Sequence, residues 1–333
     1  MIEDEFHKQG RANHPLTELL ERARLAQALT LPVTGIGRSE GYQRAIRRFV
    51  DNNPGLPICL RVTSADLDSS TFTADITALV AELRCKPSET LFVMDFKGQS
   101  SFLDAAIDDF VALLRDRISE LPFLHHWLGL AVALSSFPAS IKLEAGDVKA
   151  YPRTDLLAYG RLLVNPNGLL RIPMFGDYAV DTSPNDKPQR RTPSAHLRYS
   201  TPASYIISKG HSVKKPYGYQ AIYPVADALI AKPEFMGPSY SAGDQFISQL
   251  ASRARGTGNA ATWRWASTDH HLTMNFRALN SFFGIVEPET AKFADPAAAQ
   301  GFLFADLASP PTAPADMSNE LAEPSAKRPG ETT

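Results

Sequence analysis

The residues of this chain best suited to proton chemistry are the adjacent pair His270-His271 and the carboxylates Asp95 and Asp177. An imidazole can serve near neutral pH as a base, a hydrogen-bond partner or a metal ligand, and a carboxylate can orient it. The run Thr268-Asp269-His270-His271 predicts a helix capped by Asp269, with both histidines in its first turn and Leu272, Phe276, Leu279 and Phe283 as its buried stripe. There the helix macrodipole disfavours a second proton on either ring. Adjacent helical side chains diverge by about 100°, so one histidine is expected to face a site and the other to stack or cap. Packing or capping alone also accounts for a His-His pair in aromatic surroundings.

Basic residues supply the complementary chemistry. Arg61, Lys97, Arg153, Arg198 and Arg264 recur near expected strand ends and glycine turns. Guanidinium forks match phosphate or carboxylate in a bidentate way. The resulting scheme has Arg153 and Arg198 holding an anion, His271 acting as general base and Asp177 orienting it. His270 and Asp95 are further acid–base candidates, and Arg61, Lys97, Asp244 and Arg264 complete the ligand-binding set. The structural alternatives are a strand-end salt bridge for Asp95 and Lys97 and a buried ion pair for Asp177 and Arg198. A metal variant would use Asp95, Asp177, His270 and His271 as ligands. No His-x-Glu or His-Glu-x-x-His spacing supports it, so no metal is assigned and the cofactor stays unspecified.

The elements that must position these groups alternate. Short apolar strands at Leu31–Ile36, Ile58–Thr63, Thr90–Phe96 and Trp127–Leu134 are separated by helices at 16–29, 40–50, 72–83 and 102–121. That alternation marks a parallel sheet covered by helices. No Gly-x-Gly-x-x-Gly or Gly-x-x-x-x-Gly-Lys follows any strand, which argues against a Rossmann or P-loop nucleotide site. The expected fold is therefore α/β, a TIM-like (β/α) barrel in complete or incomplete, distorted form, with Arg61, Asp95, Lys97, Ser135 and Ser136 at strand ends where barrel sites lie.

Further along, a helix is expected over 153–164, a strand over 170–180 bent at Gly176, a polar loop over 181–195 carrying Arg190 and Arg191, strands over 196–200 and 204–208, and a helix over 221–231. Ser241 and Asp244 form a capping box for the helix that follows them. The expected domain plan is a flexible N-terminus over 1–12, a single TIM-like domain over 13–305 and a disordered tail rich in Pro, Ala and Ser over 306–333.

Composition narrows the partners. The chain has 333 residues and a net charge of −2, so no global field draws it to nucleic acid or to an anionic membrane. A dedicated nucleic-acid binder is thus not expected, although Arg190, Arg191, Lys214 and Lys215 could touch a phosphate backbone. Cys59 and Cys85 are too few for a disulfide framework, and no apolar stretch suits a signal peptide or a membrane span. A cytoplasmic setting follows as the expectation.

Several blocks carry a resemblance: Ser136-Phe137-Pro138, Phe175-Gly176-Asp177-Tyr178, Leu197-Arg198-Tyr199-Ser200, Ser241-Ala242-Gly243-Asp244, and Trp263-Arg264 through Thr268-Asp269-His270-His271-Leu272-Thr273. In this order, over about residues 130–280, they resemble the beta family of proteins, named after a phage T4 protein. Asp269 stands where the family more often has Asn, Asp155 where Glu is usual, and Lys209-Gly210 where Arg-Gly is usual. The family opens with an extra strand and helix before the equivalent of Leu31-Pro32-Val33, and this chain is expected to lack that strand or to begin inside it. The resemblance implies a fold and a residue set rather than a reaction. Two functions follow as expectations: a barrel-mouth site that binds or hydrolyses a phosphorylated or other anionic small molecule, or a non-enzymatic interaction protein with a phage-related or host-defence role. In the second, Trp263, Trp265, Phe276, Phe282 and Phe283 would be anchors for a protein partner.

Overall fold

The computed structural model describes residues 14–97, 107–164, 169–181 and 193–284. All of them fall within one compact unit. The sequence expectations for 1–12, the start of the helix at 102, most of the polar loop at 181–195 and the tail at 306–333 lie outside the described residues.

The first half is a run of strands and helices: α1 (Pro15–Leu25), β1 (Val33–Thr34), α2 (Glu40–Asn52), β2 (Ile58–Thr63), the single turn α3 (Ser64–Leu67), α4 (Phe72–Leu83), β3 (Thr90–Asp95), α5 (Ile107–Ser119) and β4 (Gly129–Ala133). β5 (Val148–Pro152), α6 (Thr154–Val164) and β6 (Met174–Gly176) follow. Strands β1, β2, β3, β4 and β6 form a parallel sheet in that order. Ile58, Leu60, Val62, Phe92, Met94, Leu130 and Val132 build its core, with Ile46, Ile76, Leu114 and Leu162 packed on from the helices. The register aligns the strand ends, with Thr63 beside Asp95, Asp95 beside Ala133, and Ala133 beside Gly176. Polar residues at the carboxyl ends of β2, β3, β4 and β6 therefore emerge along one edge.

The second half departs from a barrel. β7 (Ser194–Ser200) and β8 (Ser204–Ser212) are joined by Thr201–Ala203, and β5 pairs with β8 to give the antiparallel order β5-β8-β7. A three-residue link permits only antiparallel pairing. Among the described residues the parallel sheet does not close, so the expected TIM-like barrel is present only as a mixed α/β architecture with an open parallel sheet. β5 itself was not expected from the sequence. The strand expected over 170–180 is reduced to Met174–Gly176, and the one over 31–36 to Val33–Thr34.

One face of the antiparallel sheet, with Ala195, Leu197, Tyr199 and Ile206, packs on α7 (Ile222–Ile230), α8 (Ala242–Ala251) and α9 (Ala260–Phe282). The other face places Tyr205 and Ile207 against Phe137, Leu143 and Val180. The free edge of β7 is covered by α9, where the Arg198 N–H donates to Ser267 Oγ at 3.1 Å.

Helix α9 corrects the reading of the His-His region. Asn259, not Asp269, caps it, accepting from the Ala261 and Thr262 N–H groups, and it continues unbroken for 23 residues. His270 and His271 thus lie in mid-helix, away from the macrodipole. The expected buried stripe is largely turned outward: Leu272 is 56% and Phe276 60% exposed, Phe283 is exposed, and only Leu279 is partly buried against the core. The buried face instead carries Trp263, Ala266, Ser267, His270, His271, Met274 and Asn275.

Helices α8 and α9 approach closely at Gly243, where a Cβ would meet the Ala266 carbonyl oxygen at 2.1 Å. Gly243→Ala should force the helices apart and cost about 1–3 kcal/mol. Gly160, inside α6, has no atom within 4 Å of the equivalent position, so Gly160→Ala should stabilise by about 0.5–1 kcal/mol. Urea denaturation of both variants checks the pair; a neutral Gly243→Ala would mean the helices are not in contact there.

Candidate functional site at the carboxyl edge of the parallel sheet

The chain leaving β6, Asp177-Tyr178-Ala179-Val180-Asp181, is where the candidate residues meet. Ala179 has φ of 52° and its N–H donates to Asp177 Oδ1 at 2.9 Å. This side-chain-to-backbone turn holds a non-glycine residue in the left-handed region and sends successive side chains in different directions.

Asp177 points toward α6 and α9. Its Oδ2 accepts from His271 Nε2 at 2.8 Å, Asn275 Nδ2 at 2.8 Å and Arg153 Nη2 at 3.4 Å. Burial pushes its carboxyl up, but the hydrogen bond from His271, the Ala179 N–H and the Arg153 charge outweigh it and hold the group below the usual carboxylate range. On the far side of the ring, Ser200 Oγ lies 2.7 Å from His271 Nδ1. In the tautomer that satisfies both contacts, the Ser200 hydroxyl donates to Nδ1 and Nε2–H donates to Asp177. Hydroxyl, imidazole and carboxylate stand in the order of a nucleophile relay. Ser200 and His271 are both fully buried, however, so the arrangement works as a tie between β7, α9 and β6.

Arg153 is buried beside them. Its Nη1 donates to Asn275 Oδ1 at 2.8 Å, Nη2 faces Asp155 at 3.3 Å, and the guanidinium lies 4.9 Å from the Tyr205 ring centre. Asp155 also accepts from Ser136 Oγ at 2.6 Å and Tyr205 OH at 3.0 Å. Burial lowers the Arg153 pKa, but Asp155, Tyr205 and Asp177 reverse that and raise it. Removing one partner of such a buried pair leaves a charge without compensation.

Tyr178 points the opposite way, donating to Asp95 Oδ2 at 2.5 Å. Asp95 also accepts from Arg61 Nε at 2.6 Å and from its Nη2, and its Oδ1 takes the Lys97 N–H at 2.8 Å. Arg61 is 33% exposed in its side chain. Lys97 is exposed, with φ of 53°. The salt bridge of Asp95 is therefore with Arg61 rather than Lys97.

Asp181 ends the stretch. Arg198 Nη1 lies 3.3 Å and Arg264 Nη1 3.0 Å from its carboxylate. Arg198 also donates to the Val180 carbonyl at 2.5 Å and stacks 5.0 Å from the Phe137 ring centre, while its Nε is buried without a partner. Arg61, Arg153, Arg198 and Arg264 thus reach the same five residues from four separate parts of the chain. Arg198 does not pair with Asp177, which corrects that alternative.

His270 stands apart from this centre. It stacks on Tyr199 at 3.7 Å and places Nδ1 2.8 Å from Asp244 Oδ2 and Nε2 2.8 Å from the Ser200 carbonyl. Asp244, also bonded by Tyr199 OH at 2.7 Å and Ser241 Oγ at 2.6 Å, is fully buried. It belongs to this packing cluster and not to the edge. The metal variant does not assemble: Asp95 is taken by Arg61, the two rings diverge, and among the described residues no group of three or more His, Cys, Asp or Glu side chains could hold an ion. A cavity of about 310 Å³ lies elsewhere, between α1 and α2.

Sequence reasoning missed Tyr178, Ser200, Asn275 and Asp181. Asn275 was within reach, since it follows His271 by one helical turn on the same face. Asp155, Asp269 and Lys209 each have a partner: Asp155 as above, Asp269 with the Gly243 N–H at 2.7 Å, and Lys209 Nζ with the Leu143 carbonyl.

Fold and site together define an α/β protein with a polar centre at the carboxyl edge of an open parallel sheet. The chain belongs to the Beta protein family, whose model matches residues 3–277. No curated protein and no solved structure is found to match it. Among the described residues no helix is long and apolar enough to cross a membrane.

The same surroundings set a pH dependence. His196, on β7 beside Lys209 of β8, is held down to about 4, first by burial and then by the Arg198 charge, with Arg264 and Lys209 adding to it and the Ser194 carbonyl opposing. Unfolded, it would take its proton near its ordinary value of 6.5. Its contribution to stability is thus complete above that pH and is lost as pH falls toward 4. Denaturation at a series of pH values should show stability falling over this window by up to about 1.4 kcal/mol per pH unit, and His196→Gln should flatten the slope. The loss due to Asp177 comes lower, below its ordinary value of 3.8. A parent profile already flat between pH 6.5 and 4 would contradict the assignment.

Proposed function

We propose that this protein binds an anionic small molecule, best fitted by a phosphorylated one, at the carboxyl edge of its parallel sheet. The observation that carries the reading is that Arg198 and Arg264 share the carboxylate of Asp181, with Lys209 and the uncharged His196 alongside. This is a local excess of positive charge in a chain of net charge −2. Two planar forks beside a buried Nε without a partner suit a phosphate that takes over from Asp181. Arg61 and Lys97 lie on the same edge and extend the binding surface. In this reading His271, Asp177 and Arg153 position the edge, and His270 and Asp244 brace it from behind. The sealed Ser200 hydroxyl argues for binding rather than hydrolysis. The sequential strand order supports reading the open sheet as part of a (β/α) barrel wall, whose carboxyl end is where such folds bind ligands.

Isothermal titration against nucleotides and sugar phosphates tests the proposal. At least one phosphorylated compound should bind, and Arg264→Ala, whose side chain is 62% exposed, should weaken it about tenfold or more with the fold intact. Absence of binding across the panel, or equal affinity for parent, Arg264→Ala and Arg198→Ala, would remove the reading.

A second reading, as an interaction protein, rests on one observation. Trp265, Leu272 and Phe276 are exposed along α9 and lie within about 20° of a common helical face. Sedimentation of the parent and Phe276→Ser decides whether this face joins copies of the chain: a parent assembly lost in the variant supports it, and an unchanged monomer removes self-association.

A further inference from the structure

We infer that the loop after β8 is a docking surface for single-stranded nucleic acid, independent of the anion site at Asp181. Between Pro193 and Ala226 the chain has no Asp or Glu, yet it carries Arg198, Lys209, Lys214 and Lys215 together with His196 and His211. In a chain of net charge −2 this is a segregated basic stretch. Its exposed part is the end of β8 and the loop that follows, where His211, Lys214, Lys215, Tyr217 and Tyr219 all face solvent. Lys214 and Lys215 are exposed, and among the described residues neither makes an ion pair.

The loop is ordered by its own backbone. The Val213 N–H donates to the Pro193 carbonyl at 3.1 Å and the Gly218 N–H to the Lys214 carbonyl at 3.2 Å. Lys214 N–H donates to Ser212 Oγ at 3.3 Å. On this frame Tyr217 stacks flat on His211, with ring centres 3.9 Å apart and planes 3° from parallel. Tyr219 is held edge-on by the buried Trp263 at 5.9 Å. Two aromatic rings fixed in place and still about half exposed (48% each) beside two exposed ammonium groups form a stacking platform with phosphate contacts. Duplex readout calls for a helix or a two-stranded ribbon entering the major groove. This short loop offers neither, whereas every unstacked base presents a face to a ring. The chemistry therefore favours a single strand, bound with little sequence preference.

Fluorescence anisotropy of the full chain with labelled 20-nucleotide oligo-dT and a duplex of equal length, from 50 to 300 mM salt, tests this. The single strand should bind and the duplex more weakly. Binding should fall with salt, and Lys214→Ala/Lys215→Ala should reduce the slope of log K against log salt by about 1.4. Tyr217→Ala should weaken binding about tenfold at every salt concentration with the slope unchanged. Arg264→Ala should leave oligonucleotide binding intact, which separates this surface from the Asp181 site. No binding at 50 mM salt, a duplex bound as tightly as the single strand, or parent-like binding by the lysine double variant overturns the inference; circular dichroism confirms that the variants are folded.

Discussion

A carboxylate buried among donors from several elements is the constraint on which this structure turns. Asp177 leaves the end of β6, yet its oxygens are held by α9 through His271 and Asn275 and by the residue preceding α6 through Arg153. His271 carries the connection on to Ser200 at the end of β7. One chain of hydrogen bonds thus joins the parallel sheet to the antiparallel one where no strand pairing does. A buried carboxylate is tolerable only because its partners are in place. The relative placement of the two sheets and of α9 is therefore fixed by polar geometry as well as by apolar packing.

Position along the stretch from Asp177 to Asp181 separates framework from surface. The Asp177 and Arg153 pair is sealed. Tyr178 turns to the half-open Arg61 and Asp95 pair, and Asp181 reaches the more exposed Arg264. The change of direction at Ala179 makes this possible. A buried centre of this kind gives rigidity, and the exposed arginines around it are where charge remains for a ligand to meet. Within this stretch Tyr178 and Asp177 have distinct physical tasks.

The alternation of apolar strands and amphipathic helices was readable because period and burial agree in the first half of the chain: Ile58, Leu60 and Val62 alternate through β2 into one core. The antiparallel half was less legible. β5 reads Val148-Lys149-Ala150-Tyr151-Pro152 and buries too little to signal a strand. Helix α9 misled for a physical reason. Leu272, Phe276, Leu279 and Phe283 have helical spacing, but the face that is buried holds Ser267, His270, His271 and Asn275. Polar residues can occupy a core only when partners distant in sequence satisfy them, and periodicity contains no record of Asp177, Asp244 or Ser200. The candidate arginines were legible by type. The target shared by Arg198 and Arg264 was not, because Asp181 lies in a polar stretch that reads as loop.

The claim at the centre of this account is that Asp177 and Arg153 act as one unit. A double-mutant cycle in urea with Asp177→Asn, Arg153→Met and the pair measures it directly. Each single variant should lose about 3–5 kcal/mol, and the double variant should lose clearly less than the two losses combined, with a coupling of about 1–3 kcal/mol. Single losses below about 1 kcal/mol, or strict additivity, would contradict the account.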